Sequence, residues 1–355
     1  MIKNLYVDIH VLQTVPPSCV NRDDTGSPKT AVYGGSTRAR VSSQAWKHAI
    51  RQYFETIFPA GQLGKRTKHI VELVKEAICK NNPELTSEKA EKMAIKAFEN
   101  AGLKIKDATK GTDALFFISE GQIQALAQLT IDGETDKKKY KEALQEKPSI
   151  DMAMFGRMAA SDPSLNYDAT VQVAHSISTH TAHNEYDYFT ALDDCSREDN
   201  AGAGHLGTVE FNSATLYRFA TVNVKELAKF AGTETAQAVR NFMEAFIYSM
   251  PTGKENTFAN RTLPNDIYIA VRNDQPINLC GAFEKPVQAG QKGYIQASEK
   301  VFVDYTSKLY QQYGNAPEMA FGMGDGCAEL VETTAVPAVL DSLENYLQGK
   351  LENEK

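Results

Sequence analysis

The sequence predicts an α+β fold in which strands and helices alternate around one large helical insertion. Three observations carry this prediction: period-two alternation of apolar residues near the N-terminus, helical periodicity from residue 56 to 147, and a return of strand patterns after Pro148. The 355 residues suffice for two domains, or for one large domain with insertions. With 42% apolar and 23% charged residues, the composition is that of an ordinary globular protein.

The N-terminal elements are predicted to be a strand, a long loop and a helix. The strand begins at Leu5, where apolar and polar residues alternate, and ends at Pro16 and Pro17. The polar segment 18–36 is predicted to be a loop. The helix spans 42–54, because one stripe of it is apolar and the opposite stripe is polar and basic, and Ser42 or Ser43 can cap its start.

The remaining elements follow from the same patterns. Residues 56–147 show several amphipathic stripes, with capping-box spacing at Ser119 and Gln122 and a lysine cluster from Lys137 to Lys141. Strand patterns cover 171–177, 209–211, 217–219 and 266–272, and the segment 196–207 has the composition of a hairpin tip. Helices are predicted around 239–247, 298–313 and 339–351.

Composition and charge exclude several classes of protein. No apolar run approaches the ~18 residues of a membrane span, and the first residues lack a secretory cleavage pattern, so we expect a cytoplasmic protein. Five dispersed cysteines without a CxxC argue against disulfides and structural zinc. The net charge is −7, yet residues 21–51 carry six basic and two acidic residues, so this segment is +4 and the rest of the chain −11.

The basic segment is a candidate polyanion site. Two adjacent serines and the free N–H groups at a helix start can bind an anion, and Gln44, Lys47 and Arg51 would extend the site along the helix. Arg38 and Arg40, two apart on an extended segment, would point to one side. The glycines of the YGGSTRAR segment would let the backbone approach a ligand. An extended polyanion such as RNA fits this pattern better than one phosphate, although a solvated basic helix face explains the charges equally well.

Other motifs give weaker signals. His175, His180, His183 and His205 match no metal-ligand spacing, and structural roles are favoured over metal binding. Asp193 and Asp194 could hold Mg²⁺ or act as a base in phosphodiester cleavage, but turn and cap roles are commoner. No complete nucleotide-binding or nucleophile motif is present. We therefore expect no metal, no cofactor and no catalytic residue.

Several segments in order resemble one family. They are 16–51, FGRMAAS (155–161), AHSISTH (174–180), YFTALDD (188–194), GHLGTVEF (204–211) and GAFEKPV (281–287). Together they resemble the Cas-seven family (CasC), the backbone subunits of type I-E CRISPR Cascade complexes within the RAMP superfamily. The match runs through most of the N-terminal two thirds, whereas 56–147 matches only in helical character.

The resemblance implies a hand-shaped protein. A palm with an RRM-like, ferredoxin-like fold would take residues 1–55, 151–180 and 213–355, helical fingers would take 56–150, and a β-hairpin thumb would take 181–212. It also implies RNA-backbone contacts by Arg22, Lys29, Ser42, Gln44, Lys47 and Arg51. Met158, Phe189, Thr190 and Leu192 fall where the family wedges against a displaced base, and Lys137, Lys138 and Lys141 fall where its fingers contact DNA.

The implied function is non-catalytic antiviral defence. Copies, six in the expected filament, would follow the spacer of a CRISPR RNA and support guide pairing with target DNA. The implied partners are a large PAM-reading subunit, small subunits, a handle-binding subunit and the guide-processing endonuclease. Neutralised phosphates would supply affinity and base pairing would supply sequence specificity. Two alternatives stay open: a type III-like subunit that cleaves target RNA with Mg²⁺ through Asp193 or Asp194, and a protein that assembles without RNA.

Overall fold

The computed structural model describes residues 4–105, 111–112, 114–159, 162–191 and 205–353. The chain forms two compact units. The first comprises Met1–Tyr53, Val173–Thr221 and Phe242–Lys355, and the second comprises Phe54–Gln172 and Val222–Asn241. The segment predicted as fingers, 56–150, lies within the second unit, which additionally takes in residues on both sides of it.

The first unit is built on a large sheet. Its strands are β1 (Tyr6–Ser18), β2 (Thr30–Tyr33), β3 (Ser36–Val41), β6 (Val171–Val173), β7 (Ser176–Ser178), β8 (Glu185–Ala191), β9 (His205–Asn223), β10 (Asp266–Arg272) and β11 (Met319–Met323). The order is β11-β10-β1-β9-β7-β3-β2, with β6 and β8 also paired to β9. The pairs β1–β10, β10–β11, β3–β7, β7–β9 and β8–β9 are antiparallel. A large antiparallel sheet with helices confirms the predicted α+β class.

Most helices follow the predicted stripes, whereas those at 150–155, 224–231 and 255–258 were not predicted. They are α1 (Ser43–Ile57), α2 (Ile70–Asn81), α3 (Ser87–Asn100), α4 (Glu120–Ile131), α5 (Lys137–Gln145), α6 (Ile150–Phe155), α7 (Val224–Ala231), α8 (Thr235–Tyr248), α9 (Glu255–Phe258), α10 (Ile295–Tyr313) and α11 (Val336–Glu352). A short ladder pairs β4 (Lys65–Thr67) with β5 (Phe116–Ile118). Among the described residues, the helices include none long and apolar enough to cross a bilayer.

Three strand predictions need correction. The predicted loop 18–36 contains β2, which pairs with β3 around a turn at Gly34 and Gly35. The alternating segment 171–177 is two short strands, and the two predicted strands near 210 and 218 form one continuous β9. Long strands interrupted by polar residues look like separate strands because their burial changes along their length.

The central strand β1 was predicted from alternating apolar and polar residues, yet its polar positions are buried as well. Asp8, His10 and Gln13 are all buried. The Nδ1 atom of His10 lies 2.9 Å from the hydroxyl of Tyr217, inside a cluster of aromatic rings. Burial lowers the pKa of His10 to about 3. Both faces of β1 are covered, so the period-two pattern of this strand does not report exposure.

Asp8 makes the stability of the fold depend on pH. Its Oδ2 accepts a hydrogen bond from the Ile277 N–H at 2.8 Å, and burial raises its pKa to about 7. Between about pH 4 and 7 the folded chain holds a proton that the unfolded chain releases, so this contribution to stability is lost as pH rises. We expect Asp8→Asn, an analogue of the protonated acid, to be more stable relative to wild type at pH 8 than at pH 5, by urea unfolding.

The control for this prediction is Asp24→Asn, since Asp24 is exposed. Comparing each variant with wild type at the same pH cancels the contribution of His10, which titrates in both proteins. Equal destabilisation of Asp8→Asn at both pH values would contradict the assigned protonation of Asp8.

The second unit has its own core of helices. Buried apolar residues of α2, α3, α4 and α5 form one cluster together with β5. The capping box predicted from Ser119 and Gln122 is present: the Gln122 N–H donates to Ser119 Oγ at 3.1 Å, and the Ser119 N–H donates to Gln122 Oε1 at 3.2 Å. The lysine cluster opens α5, as predicted, with Asp136 as its N-cap.

Candidate nucleic-acid interface

The N-terminus of α1 is capped by the side chain of a buried serine. The Ser42 hydroxyl accepts a hydrogen bond from the Ala45 N–H at 3.3 Å, and the Ser42 N–H donates to Asn21 Oδ1 at 2.9 Å. Ser42 is buried. It is therefore a capping residue rather than the RNA contact that was predicted, while the N–H groups of Ser43 and Gln44 lie at the positive end of the helix dipole.

Asn21 attaches the preceding loop to this helix end. Its backbone carbonyl accepts from the Lys29 N–H at 2.8 Å, while its side chain holds Ser42. Arg40 continues the connection, because its N–H donates to the Lys29 carbonyl at 2.9 Å and its Nε to the Thr30 carbonyl at 3.0 Å. The loop, β3 and α1 thus present Lys29 and Arg40 beside the helix start. Asn21 was missed by the sequence analysis, since a lone polar loop residue has no periodic signal.

The exposed side of α1 continues the same surface. Trp46, Ala49 and Ile50 are buried, so the opposite stripe of Gln44, Lys47 and Arg51 faces outward. Gln44 is exposed, and Lys47 and Arg51 are partly exposed. We call Arg22, Lys29, Arg40, Gln44, Lys47 and Arg51 the basic face. The loop also carries two acidic residues, Asp23 and Asp24, both of which are exposed. Asp23 Oδ1 accepts from the N–H groups of Thr25 and Ser27 and from the Thr25 hydroxyl within the loop.

Arg38 does not belong to the basic face. It is fully buried, and its guanidinium donates to the backbone carbonyls of Ser178, Phe283 and Glu284 at 2.9–3.0 Å. The prediction of an RNA contact by Arg38 is therefore corrected: this arginine joins three chain segments, and no donor surface is left for a ligand. Alternation along β3 correctly placed Arg38 and Arg40 on one side, but it could not show that this side is covered at position 38.

The glycines of the YGGSTRAR segment also have a structural role. Gly34 and Gly35 adopt positive φ in the turn between β2 and β3. At Gly34 an added Cβ would lie 1.6 Å from the carbonyl oxygen of Glu284. These glycines allow a tight turn and a close backbone contact within the protein, instead of the predicted approach to a ligand.

His175 and His180, two of the four histidines considered, have different surroundings. His180 is buried, accepts from the Thr215 N–H through Nε2 at 3.1 Å and stacks on Tyr294 at 3.6 Å between ring centroids. His175 is exposed, and its Nδ1 lies 3.2 Å from Arg40 Nη1. Within the described part of the chain, no group of three histidines, cysteines or carboxylates is placed to hold a metal ion. The structural role favoured for His180 is the one observed.

The predicted thumb is a two-stranded arm formed by β8 and the first half of β9. Every residue of β8 is exposed, including Phe189 and Thr190. Phe189 pairs across the ladder with Gly207, where an added Cβ would lie 2.3 Å from its ring. The ring thus lies over the glycine, which fixes its position on one face of the arm. Leu192, Asp193 and Asp194 lie outside the described residues.

Met158 lies in the second unit and is 84% exposed. Its neighbour Arg157 is buried and donates to the carbonyls of Phe117, Leu144 and Leu165 and to Gln122 Oε1. Burial lowers the pKa of Arg157 to about 10. The GRM motif therefore combines a structural arginine, which sequence reasoning did not recognise, with an exposed apolar side chain.

The lysines predicted to contact DNA differ from one another. Lys137 and Lys138 are exposed at the start of α5, and Lys138 Nζ lies 3.6 Å from Glu142 Oε1. Lys141 is held 2.8 Å from Asp162, and the pKa of that carboxyl is lowered to about 2 by this partner and by Ser164. Lys137 and Lys138 are thus more accessible to a ligand than Lys141.

The fold and these exposed features define a class: an α+β protein with a large antiparallel sheet, a basic helix end and an exposed two-stranded arm. The chain belongs to the CT1975-like protein family, whose model matches residues 7–348. No curated protein sequence matches it.

Solved structures show the same architecture. One similar chain, from a "CRISPR RNA-guided surveillance complex, pre-nicking", is 32% identical with a TM-score of 0.84, covering 96% of this chain and 99% of that one. Another, from a "CRISPR RNA-guided surveillance complex", is 28% identical with a TM-score of 0.65 over the same shares of both chains.

Proposed function

We propose that this protein is a CRISPR RNA-binding backbone subunit of a type I-E surveillance complex. The observation that carries the proposal is the similarity, over nearly the full length of both chains, to a chain of an RNA-guided surveillance complex. The basic face supports it independently, since an acidic protein concentrates cations and an open helix end on one surface. Such a surface binds a phosphate backbone without reading its sequence.

In this proposal different parts of the chain bind the RNA backbone, displace its bases and contact target DNA. The palm, in an RRM-like arrangement, holds the RNA backbone through the basic face, and copies of the chain stack along the spacer. The arm carries Phe189 and Thr190 across the RNA and displaces bases at regular intervals, together with Met158. Unstacking costs a few kcal/mol per step, which the additional contacts offset. Lys137 and Lys138 of the fingers contact target DNA, whose sequence is read by guide pairing.

The proposed protein is not an enzyme. It positions the guide, and its partners are CRISPR RNA, further copies of itself, target DNA and the other Cascade subunits. Cleavage of RNA with Mg²⁺ through Asp193 or Asp194 is the competing possibility, and no observation on the described residues favours it.

The test is to purify the complex with its neighbouring subunits and to extract its nucleic acid. We expect RNA of uniform length, with no cutting of guide-matched RNA or DNA when Mg²⁺ is added. Cleavage at regular intervals that disappears in Asp193→Ala or Asp194→Ala would replace the proposal with the type III-like function. Complexes that contain no RNA would refute both functions.

A further inference from the structure

His175 occupies an unusual position on the basic face. It precedes β7, in which Ile177 pairs with Arg40 of β3, so His175 and Arg40 lie diagonally across the strand pair. Arg40 Nη1 lies 3.2 Å from His175 Nδ1. Lys29 is held next to Arg40, because the Lys29 backbone carbonyl accepts a hydrogen bond from the Arg40 N–H.

The chemistry of this contact fixes the tautomer of the imidazole. A guanidinium has only donors, so His175 Nδ1 must accept, and the proton of the neutral ring is on Nε2. Desolvation of the ring and the positive charges of Arg40 and Lys29 lower the pKa of His175, which favours the neutral ring. With Nδ1 occupied by Arg40, Nε2–H is the donor that the exposed ring offers to a ligand.

Arg40 is held in a fixed orientation at the same time. Its Nε donates to the Thr30 carbonyl and its Nη1 to His175, which uses two of its five N–H donors. Lys29, Arg40 and His175 thus offer three kinds of donor, which is the complement of a phosphate group with its acceptor oxygens.

We propose that His175 contacts a phosphate of bound RNA, donating Nε2–H from a neutral imidazole beside the cations Lys29 and Arg40. The inference rests on the proposed function and adds a residue to its binding surface. His175 also orients Arg40, so two roles must be separated experimentally: direct contact with RNA, and positioning of the arginine.

Two substitutions separate these roles. In His175→Asn, the side-chain oxygen can take the place of Nδ1 and accept from Arg40, but no atom reaches the position of Nε2. In His175→Gln, the amide nitrogen reaches the position of Nε2 and can restore the donor. We expect His175→Asn to weaken binding of a labelled single-stranded RNA about tenfold, as for a hydrogen bond to a charged group, and His175→Gln to recover most of this loss.

The measurement is fluorescence anisotropy with the full chain at several salt concentrations. In His175→Asn a neutral donor is lost, so the slope of log affinity against log salt concentration should not change. Lys29→Ala removes a cation and should reduce the magnitude of this slope by about 0.7, the value for one phosphate contact on a single strand. His69→Asn is the matched control, since His69 is an exposed histidine at the start of α2 in the other unit.

Each outcome decides between the roles. A third variant, His175→Ala, removes both ring nitrogens. If His175→Asn binds like wild type while His175→Ala is weak, His175 only positions Arg40 and the contact is refuted. If all three variants bind like wild type, His175 has no role in binding. If the wild-type chain and its purified complex bind no RNA at any salt concentration, the proposed function itself fails, and this inference with it.

Discussion

Reversing two charges on α1, Lys47→Glu with Arg51→Glu, is expected to lower RNA affinity about 100-fold or more, since two phosphate contacts become repulsions. The fold should be retained. Both side chains lie on the stripe opposite the buried Trp46 and Ile50, so the apolar stripe of α1 keeps its residues. The measurement is RNA anisotropy for the purified chain and guide loading for the complex, with thermal melting as the check on folding.

The matched control is a second double reversal, Lys89→Glu with Lys92→Glu, on exposed positions of α3 in the other unit. It changes the net charge of the chain by the same amount. If both double variants lose the same affinity, RNA responds to overall charge and the basic face is not the binding surface. If only the α1 variant loses affinity, the site is local.

Replacing the buried arginine, Arg38→Ala, is expected to destabilise the first unit by about 3–5 kcal/mol. The substitution leaves the carbonyls of Ser178, Phe283 and Glu284 without their shared donor and opens a cavity among them. Arg38→Lys should recover only part of the loss, because an ammonium cannot span three carbonyls as a guanidinium fork does. Urea unfolding measures the difference.

Arg40→Ala, on the same strand, is expected to affect RNA binding rather than stability. Arg40 is partly exposed, and its contacts to Thr30 and His175 lie at the surface. We expect a stability change of about 1 kcal/mol or less, as for surface substitutions, together with weaker RNA binding. The assignment of Arg38 to structure and Arg40 to binding would be wrong if Arg40→Ala unfolded the protein while Arg38→Ala remained stable.

The helix α1 shows where sequence and structure agree. Apolar spacing predicted its extent to within a few residues, and the serine cap and the basic stripe followed from the same pattern. Strand β10 was predicted with the observed bounds, 266–272. These elements are set by local periodicity, which a sequence carries directly.

Burial of polar residues was decided by other parts of the chain. Asp8, Arg38 and Arg157 are typical surface residues by composition, yet each is buried by contacts with distant segments: Ile277 for Asp8, Phe283 for Arg38 and Leu144 for Arg157. These partners offset part of the cost of burial, because an unpaired polar group inside a protein is costly. The sequence alone does not show which segments supply the hydrogen-bond partners of these buried residues.

By itself, then, the sequence determined the α+β class, the position of most helices and the concentration of positive charge in residues 21–51. Tertiary structure decided which members of that segment face a ligand. Arg38 and Ser42 are turned into the protein, Lys29 and Arg40 are presented beside the helix start, and His175 joins them from a strand far along the chain. The physical reason is that charge and periodicity are local properties, whereas exposure depends on the partners that pack against each side chain.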